Sequence, residues 1–182
     1  SGIGHEVARL FIKQGWTVGV AARRLDKLAD LKNNALERVF TARIDVTDED
    51  AEAALFQLIE RMGGLDLYFH SSGIGWKNPT LEAEKEIKTM ETNATGFTRM
   101  VGAAYRYFAA KRGGHIVCIT SIAGTKGLGS APAYSATKAM QNTYLQALEQ
   151  LATKKRHNIN FTDIRPGFVN TPLLTDSEHF PM

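Results

Sequence analysis

The chain is predicted to fold as an α/β protein with a doubly wound parallel sheet. Three observations predict it. Short apolar runs recur that suit strands buried on both faces, helical patterns lie between them, and neither low-complexity linkers nor internal repeats interrupt the alternation. Such a sheet binds ligands at the carboxyl ends of its strands, so the loops leaving those ends are where function is sought.

Taken in order, residues 3–14 carry Val7, Leu10 and Phe11 on one helical face and stop at Gly15. The run WTVGVAA (16–22) is the first strand, followed by a helix over about 25–34 and the strand RVFTARI (38–44). A helix over 48–62 leads to LDLYFH (65–70), and one long helix over 81–111 leads to HIVCIT (115–120). A helix over 132–152 and the strand NINFTDI (158–164) complete the pattern. Right-handed crossovers are expected throughout. A glycine-rich turn opening a helix should follow an apolar strand, and nothing precedes Ser1. The chain is therefore expected to lack its first strand and, after HFPM, a last helix and strand, with an upstream signal peptide left open.

With 182 residues, 43% hydrophobic and 23% charged, the chain has the makings of one globular domain over 1–182 rather than a disordered segment. The net charge of +3 is scattered, and its one dense group, KKRH at 154–157, reads as a helix C-terminus rather than a nucleic-acid patch. Cys118 is the only cysteine and sits in an apolar run, which fits a reducing, cytoplasmic setting. The five histidines lack metal-ligand spacing, so no metal is expected, and no apolar run approaches membrane-spanning length.

The chemistry centres on SAPAYSATKAMQ, where Tyr134 and Lys138 stand one helical turn apart just after Pro132. An ammonium on the same helix face as a phenol is expected to lower the phenol pKa from about 10 and make it a usable proton donor. Tyr107 and Lys111 repeat the spacing at a helix end with Gly-Gly behind them, so spacing alone decides nothing. Gly2 and Gly4 in SGIG are either half of a phosphate-binding turn or a plain tight turn. After the first strand stand Arg23 and Arg24 where an acidic residue would select NAD. The arginines favour NADP(H) over NAD(H) by pairing with a 2′-phosphate; the alternative is two solvated arginines opening a helix. Asp45 ends the second strand, placed either to bond an adenine amine or, with Thr47 as the other candidate, to cap the next helix.

Together these residues resemble the short-chain dehydrogenase/reductase family with its Rossmann-type fold. The resemblance rests on order: the tail of the Thr-Gly-x3-Gly-x-Gly turn in Gly2-Ile3-Gly4, the strand-end Asp45, Asn93 in METNATGF, Ser121 in CITSIAG, Tyr134-x-x-x-Lys138, and IRPGFVNTP at 164–172. Ser121 lies thirteen residues before Tyr134 at the end of a strand, a relation that Tyr107 lacks. The resemblance implies hydride transfer between nicotinamide and a small carbonyl or alcohol substrate. In it Tyr134 is the general acid/base, Ser121 the oxygen-binding hydroxyl, Lys138 the holder of the nicotinamide ribose, and Asn93 the holder of a relay water. It further implies cofactor contacts from Ser1, Gly2, Ile3, Gly4, Arg23, Arg24, Asp45, Val46, Gly73, Tyr134, Lys138, Pro166, Gly167, Val169 and Thr171. Leu173, Leu174 and Phe180 fall in the variable substrate-covering segment.

One departure is His70-Ser71-Ser72-Gly73, where the family usually has Asn-Asn-Ala-Gly; Gly73 keeps a close backbone approach, and His70 is a candidate for an added catalytic base. The resemblance also implies a homodimer or homotetramer through the helices bearing Phe97, Met100, Ala103, Met140, Tyr144, Leu145 and Leu148, with core packing as the competing use of each. No nucleic-acid or membrane partner is expected. The rival functions are a catalytically silent dinucleotide-binding sensor or scaffold, and an epimerase or dehydratase on a related fold.

Overall fold

The first helix, α1 (Gly2–Lys13), opens on a glycine whose φ of 68° lies in the left-handed region that favours glycine. It ends in a turn where Gly15, at φ 88°, donates to the Ile12 carbonyl. The structure is a computed structural model that describes residues 2–33, 37–167 and 169. The chain divides into two units, residues 1–65 and 66–182.

In the first unit, β1 (Val18–Ala22) pairs in parallel with β2 (Val39–Arg43), Val18 opposite Val39 through to Ala22 opposite Arg43. Between them a 3-10 turn (Leu25–Leu28) leads into the short helix α2 (Ala29–Asn33), and α3 (Ala51–Arg61) follows β2. The core joins Ala8 and Ile12 of α1 to Val20, Leu28, Leu31 and Val39. The inward stripe of α1 is thus Ala8 and Ile12 rather than the expected face: Leu10 is exposed, and Phe11 turns to meet Trp16 edge to face.

In the second unit, β3 (Leu67–His70), β4 (Gly114–Ile119) and β5 (Ile159–Ile164) form a parallel sheet with β4 in the middle. Its register sets His70 opposite Cys118 and Cys118 opposite Asp163. Paired on both sides, β4 buries Ile116, Val117 and Cys118 in succession, as its unbroken apolar run requires. β5 was also expected to be buried on both faces. Instead it alternates, with Asn160, Thr162 and Ile164 exposed. Among the described residues the five strands pair as two parallel sheets, β1 with β2 and β3-β4-β5, and none bridges the two.

The expected long helix over 81–111 is three pieces: α4 (Ala83–Met90), a π-helical turn (Glu91–Gly96) and α5 (Phe97–Lys111). α6 (Pro132–Lys155) begins with proline in its first turn and ends with Lys154, Lys155 and a left-handed Arg156, as the KKRH cluster predicts for a helix C-terminus. Of the residues expected at an oligomer interface, Phe97, Met100, Ala103, Leu145 and Leu148 are buried within the chain's own core. The large apolar side chains left outward on α4 and α6 are Ile87, Met90 and Leu151. Among the described residues no helix is long and apolar enough to cross a membrane.

Candidate active site

β3, β4 and β5 end side by side at His70, Ile119 and Ile164, and the loops leaving these ends are laced together. Thr120 donates its N–H to the Ile164 carbonyl at 2.8 Å, and Ile122 donates to the Pro166 carbonyl at 3.2 Å. Against these loops lies one face of α6. Positions 134, 138, 141, 145, 148 and 152 fall along a single helical stripe, polar in its first half (Tyr134, Lys138, Gln141) and apolar in its second (Leu145, Leu148, Ala152). The apolar half anchors the helix in the core, and the polar half is carried to the strand ends.

There the structure brings Ser121 and Tyr134 together. Ser121 closes the turn after β4 by accepting the Ala123 N–H on Oγ at 3.0 Å, which leaves its own proton free on the side of the Tyr134 phenol. Gly75 lies against the Tyr134 ring so closely that a β-carbon there would stand 2.6 Å from Cδ2. Burial raises the Tyr134 pKa above its ordinary value, and the nearby Ser121 hydroxyl pulls it back in part. This corrects the expectation of a phenol lowered by Lys138. The ammonium sits 5.7 Å from the ring centroid, over the face rather than against the oxygen, where it acts as a cation–π partner.

Lys138 is buried. Its Nζ donates to the Ile119 carbonyl at 3.2 Å and to Gln141 Oε1 at 3.1 Å. Burial lowers its pKa to about 8, against the upward pull of Cys118 and Asp163. The decoy pair differs: Lys111 reaches the Asp66 carboxylate at 2.6 Å on the surface.

Asn93 sits inside the π-helical turn, fully buried. Its Oδ1 accepts the Ile74 N–H at 2.9 Å and its Nδ2 donates to the Ile74 carbonyl at 2.7 Å, with a longer bond to Thr137 Oγ1 at 3.3 Å. The amide is therefore spent on fastening the loop after β3. Gln141 Nε2 donates to the Asn93 carbonyl at 2.7 Å. A β-carbon on Gly73 would meet Asn93 Oδ1 at 3.5 Å and Lys138 Nζ at 3.7 Å, which places this glycine beside both groups.

Two further residues hold the start of α6. Glu86 on α4 accepts the Ala133 N–H at 3.1 Å on one carboxylate oxygen and Asn78 Nδ2 at 2.8 Å on the other, so it caps the helix just before Tyr134. Glu86→Ala leaves both donors without this acceptor and is expected to lower unfolding free energy by about 1–2 kcal/mol, read by denaturant titration. A similar constraint acts at Gly124, where a β-carbon would come within 2.7 Å of the Lys138 backbone.

In the first unit Gly2, Ile3 and Gly4 form the opening of α1, and Arg23 and Arg24 follow β1, exposed. Asp45 closes a turn on Thr47, accepting its N–H at 3.1 Å and its hydroxyl at 2.8 Å, so neither residue caps α3, which starts at Ala51. Val46 beside it is buried. Val169 is exposed, and Gly167 lies near Ile122, where its β-carbon would meet Cδ1 at 3.5 Å. Ser1, Thr171, Leu173, Leu174 and Phe180 lie outside the described residues. Sequence reading missed Gln141, Glu86, Asn78 and Gly75. The only signal for Gln141 was a polar residue standing seven positions after Tyr134 on the helix face that later carries Leu145 and Leu148.

Comparison with known proteins bears on this geometry. A family model described as short chain dehydrogenase matches residues 1–181. An uncharacterized oxidoreductase of Myxococcus xanthus is 32% identical over 188 aligned residues, covering all of this chain and 73% of that protein. Serine dehydrogenase from Escherichia coli shares the fold with a TM-score of 0.81 and 26% identity, over 93% of this chain and 79% of its own. The closed form of a serine dehydrogenase complexed with NADP+ gives a TM-score of 0.79 and 26% identity, over 92% of this chain and 68% of its own. With a serine and a tyrosine meeting beside a buried lysine at the carboxyl ends of parallel strands, and with relatives of this kind, the chain belongs to the short chain dehydrogenase family, whose members are NAD(P)-dependent oxidoreductases.

Proposed function

We propose that residues 1–182 act as one dinucleotide-binding catalytic domain that interconverts a small carbonyl compound and its alcohol with NADP(H), Tyr134 serving as general acid/base. The observation that carries this reading is the convergence of the Ser121 hydroxyl, the Tyr134 phenol and the buried Lys138 ammonium, which stands 5.7 Å from the centre of the same ring, at the carboxyl ends of the strands.

The residues fit a nicotinamide coenzyme. Described bonds use two of the three Lys138 ammonium protons, leaving a donor for ribose hydroxyls, and Gly73 gives close backbone approach beside it. Pro166, Gly167, Val169 and Thr171 are assigned to the nicotinamide end. Ser1, Gly2, Ile3 and Gly4 are assigned to the pyrophosphate, Asp45 and Val46 to the adenine, and Arg23 and Arg24 to the 2′-phosphate. When bound, the coenzyme supplies or accepts hydride.

Tyr134 then gives its phenol proton to the substrate oxygen in reduction, or takes it back in oxidation. Ser121 donates to the same oxygen as charge builds there, because its Oγ is already oriented by the Ala123 N–H. The ammonium of Lys138 stays over the ring face, where it holds the ring in place and offers its remaining proton to the ribose. Asn93 holds the loop after β3 in place around these groups.

NADP selectivity is supported by Arg23 and Arg24, two exposed guanidiniums that make no ion pair among the described residues, and by the NADP+ bound to a structural relative. The test is turnover of a panel of aldehydes, ketones, hydroxy acids and sugars with NADPH and NADH. The Arg23→Ala/Arg24→Ala double variant is expected to lose about ten- to a hundredfold in kcat/KM with NADPH and little with NADH, since a charge-assisted contact contributes about 1.5–3 kcal/mol. Equal loss with both coenzymes would reject the 2′-phosphate assignment.

A further inference from the structure

We propose that Gln141 is a positioning residue for Lys138, its amide oxygen holding the ammonium and its amide nitrogen fastening that hold to the Asn93 carbonyl. The role is meaningful for catalysis only on the reading of Lys138 given above. The contacts themselves stand independently of it.

Gln141 is fully buried, which for an uncharged amide is tolerable only when both ends are bonded. Both are. Nε2 donates to the Asn93 carbonyl at 2.7 Å and Oε1 accepts from Lys138 Nζ at 3.1 Å. A reversed amide would point an NH2 at an ammonium and an oxygen at a carbonyl, so the orientation is fixed by its two neighbours.

The Asn93 carbonyl belongs to the π-helical turn, where Phe97 N–H goes to Ala94 rather than to Asn93. That geometry turns the carbonyl toward α6. Gln141 therefore cannot swing, and its oxygen is delivered to Nζ from one side while the Ile119 carbonyl approaches from β4.

Among the described residues no carboxylate bonds directly to this buried ammonium. The titratable groups facing it are the His70 ring from β3, the Cys118 thiol from β4, the Asp163 carboxylate from β5 and the Tyr134 phenol on its own helix. Asp163 is already bonded to Thr120 and Arg165. The close acceptors of the ammonium are thus two neutral carbonyl oxygens, one main-chain and one from Gln141. A carbonyl dipole aimed at a buried cation favours its charged form, so removing it shifts the proton equilibrium of Lys138 in a known direction.

The experiment is a pH titration of the Lys138 ε-carbon by NMR in the full chain labelled with 13C-lysine, the signal assigned by its loss in Lys138→Met. In Gln141→Leu, which keeps the bulk and loses the acceptor, the midpoint is expected to fall by about one pH unit or more. In Gln141→Glu, which keeps the shape and adds charge, it is expected to rise by about as much. Should the leucine variant fail to fold, the glutamate variant decides alone.

A Lys138 midpoint that stays at its parent value in the folded variants overturns the proposal. Because the readout needs neither coenzyme nor turnover, it separates the two claims: shifted midpoints in a protein that reduces no carbonyl would sink the catalytic reading and leave this one. Where turnover is present, its pH limb should move with the NMR midpoint, in opposite directions for the two variants. A side chain that merely fills space would lower the rate without moving the limb.

Discussion

Tyr134→Phe is expected to lower kcat for any carbonyl substrate found by the panel by about 10²–10⁴-fold, the range for removal of a general acid. The variant is unusually clean here. The phenylalanine ring keeps the surface that lies against Gly75 and beneath the Lys138 ammonium, so folding and coenzyme affinity should hold within a few-fold. What disappears is the phenol oxygen beside the Ser121 hydroxyl. Ser121→Ala removes the neighbouring hydroxyl and should cost less, about 10²–10³-fold, because a proton donor survives. Stopped-flow or steady-state rates together with coenzyme fluorescence titration separate the two quantities. Parent-like turnover in Tyr134→Phe would show that another group moves the proton.

The second large effect concerns acid stability. His70 is buried at the end of β3, with Nδ1 bonded to the Tyr68 hydroxyl at 3.0 Å and the ring edge-on to Phe97, centroids 5.0 Å apart. Burial, with the Lys138 ammonium adding to it, pushes its pKa down to about 3, while the Ser72 backbone pulls weakly upward. With its pKa this low the ring scarcely accepts a proton at ordinary pH, which speaks against His70 as an added base.

Above about pH 6.5 the histidine is neutral both folded and unfolded and contributes no pH dependence. Between about 6.5 and 3 the unfolded chain takes up a proton that the folded chain refuses, so stability falls as pH falls through this window. The loss should reach about 2 kcal/mol by pH 5 and about 3–5 kcal/mol near pH 3. Denaturant unfolding of the parent and His70→Gln across this range isolates the term, since other carboxylate effects are common to both. Parallel curves would mean that the ring is protonated in the folded state.

Much of this fold was legible because each buried strand is an apolar run and each helix has a polar stop. HIVCIT became β4 within one residue at either end, and Pro132 marked the start of α6. The π-helical turn was not legible. Thr89, Asn93, Phe97, Met100, Ala104 and Phe108 form an unbroken buried stripe across it, and about one extra residue over five turns leaves no break in periodicity. Order and spacing pointed to Tyr134, Ser121 and Lys138, which the structure brings to the same strand ends. Asn93 was singled out too, yet its contact with Ile74 could not be read, because a side chain paired to main-chain atoms leaves no mark on the partner residue. Glu86 looked like one more surface carboxylate on a helix rich in them, and its tie to Ala133 spans 47 positions of chain. The effect of Lys138 on Tyr134 was misjudged for a related reason: helical spacing brings two side chains near each other without saying which atoms meet.

The twofold grip of Asn93 on Ile74 makes the two positions unequal in what they can tolerate. An amide that reads only a peptide group is indifferent to the side chain attached to that peptide, so position 74 is free to drift among residues of fitting bulk. Position 93 has no such latitude: aspartate lacks the donor, and glutamine overshoots by one methylene. A reader of variants should therefore expect tolerance on the loop and intolerance on the helix, although both ends belong to the same pair of bonds.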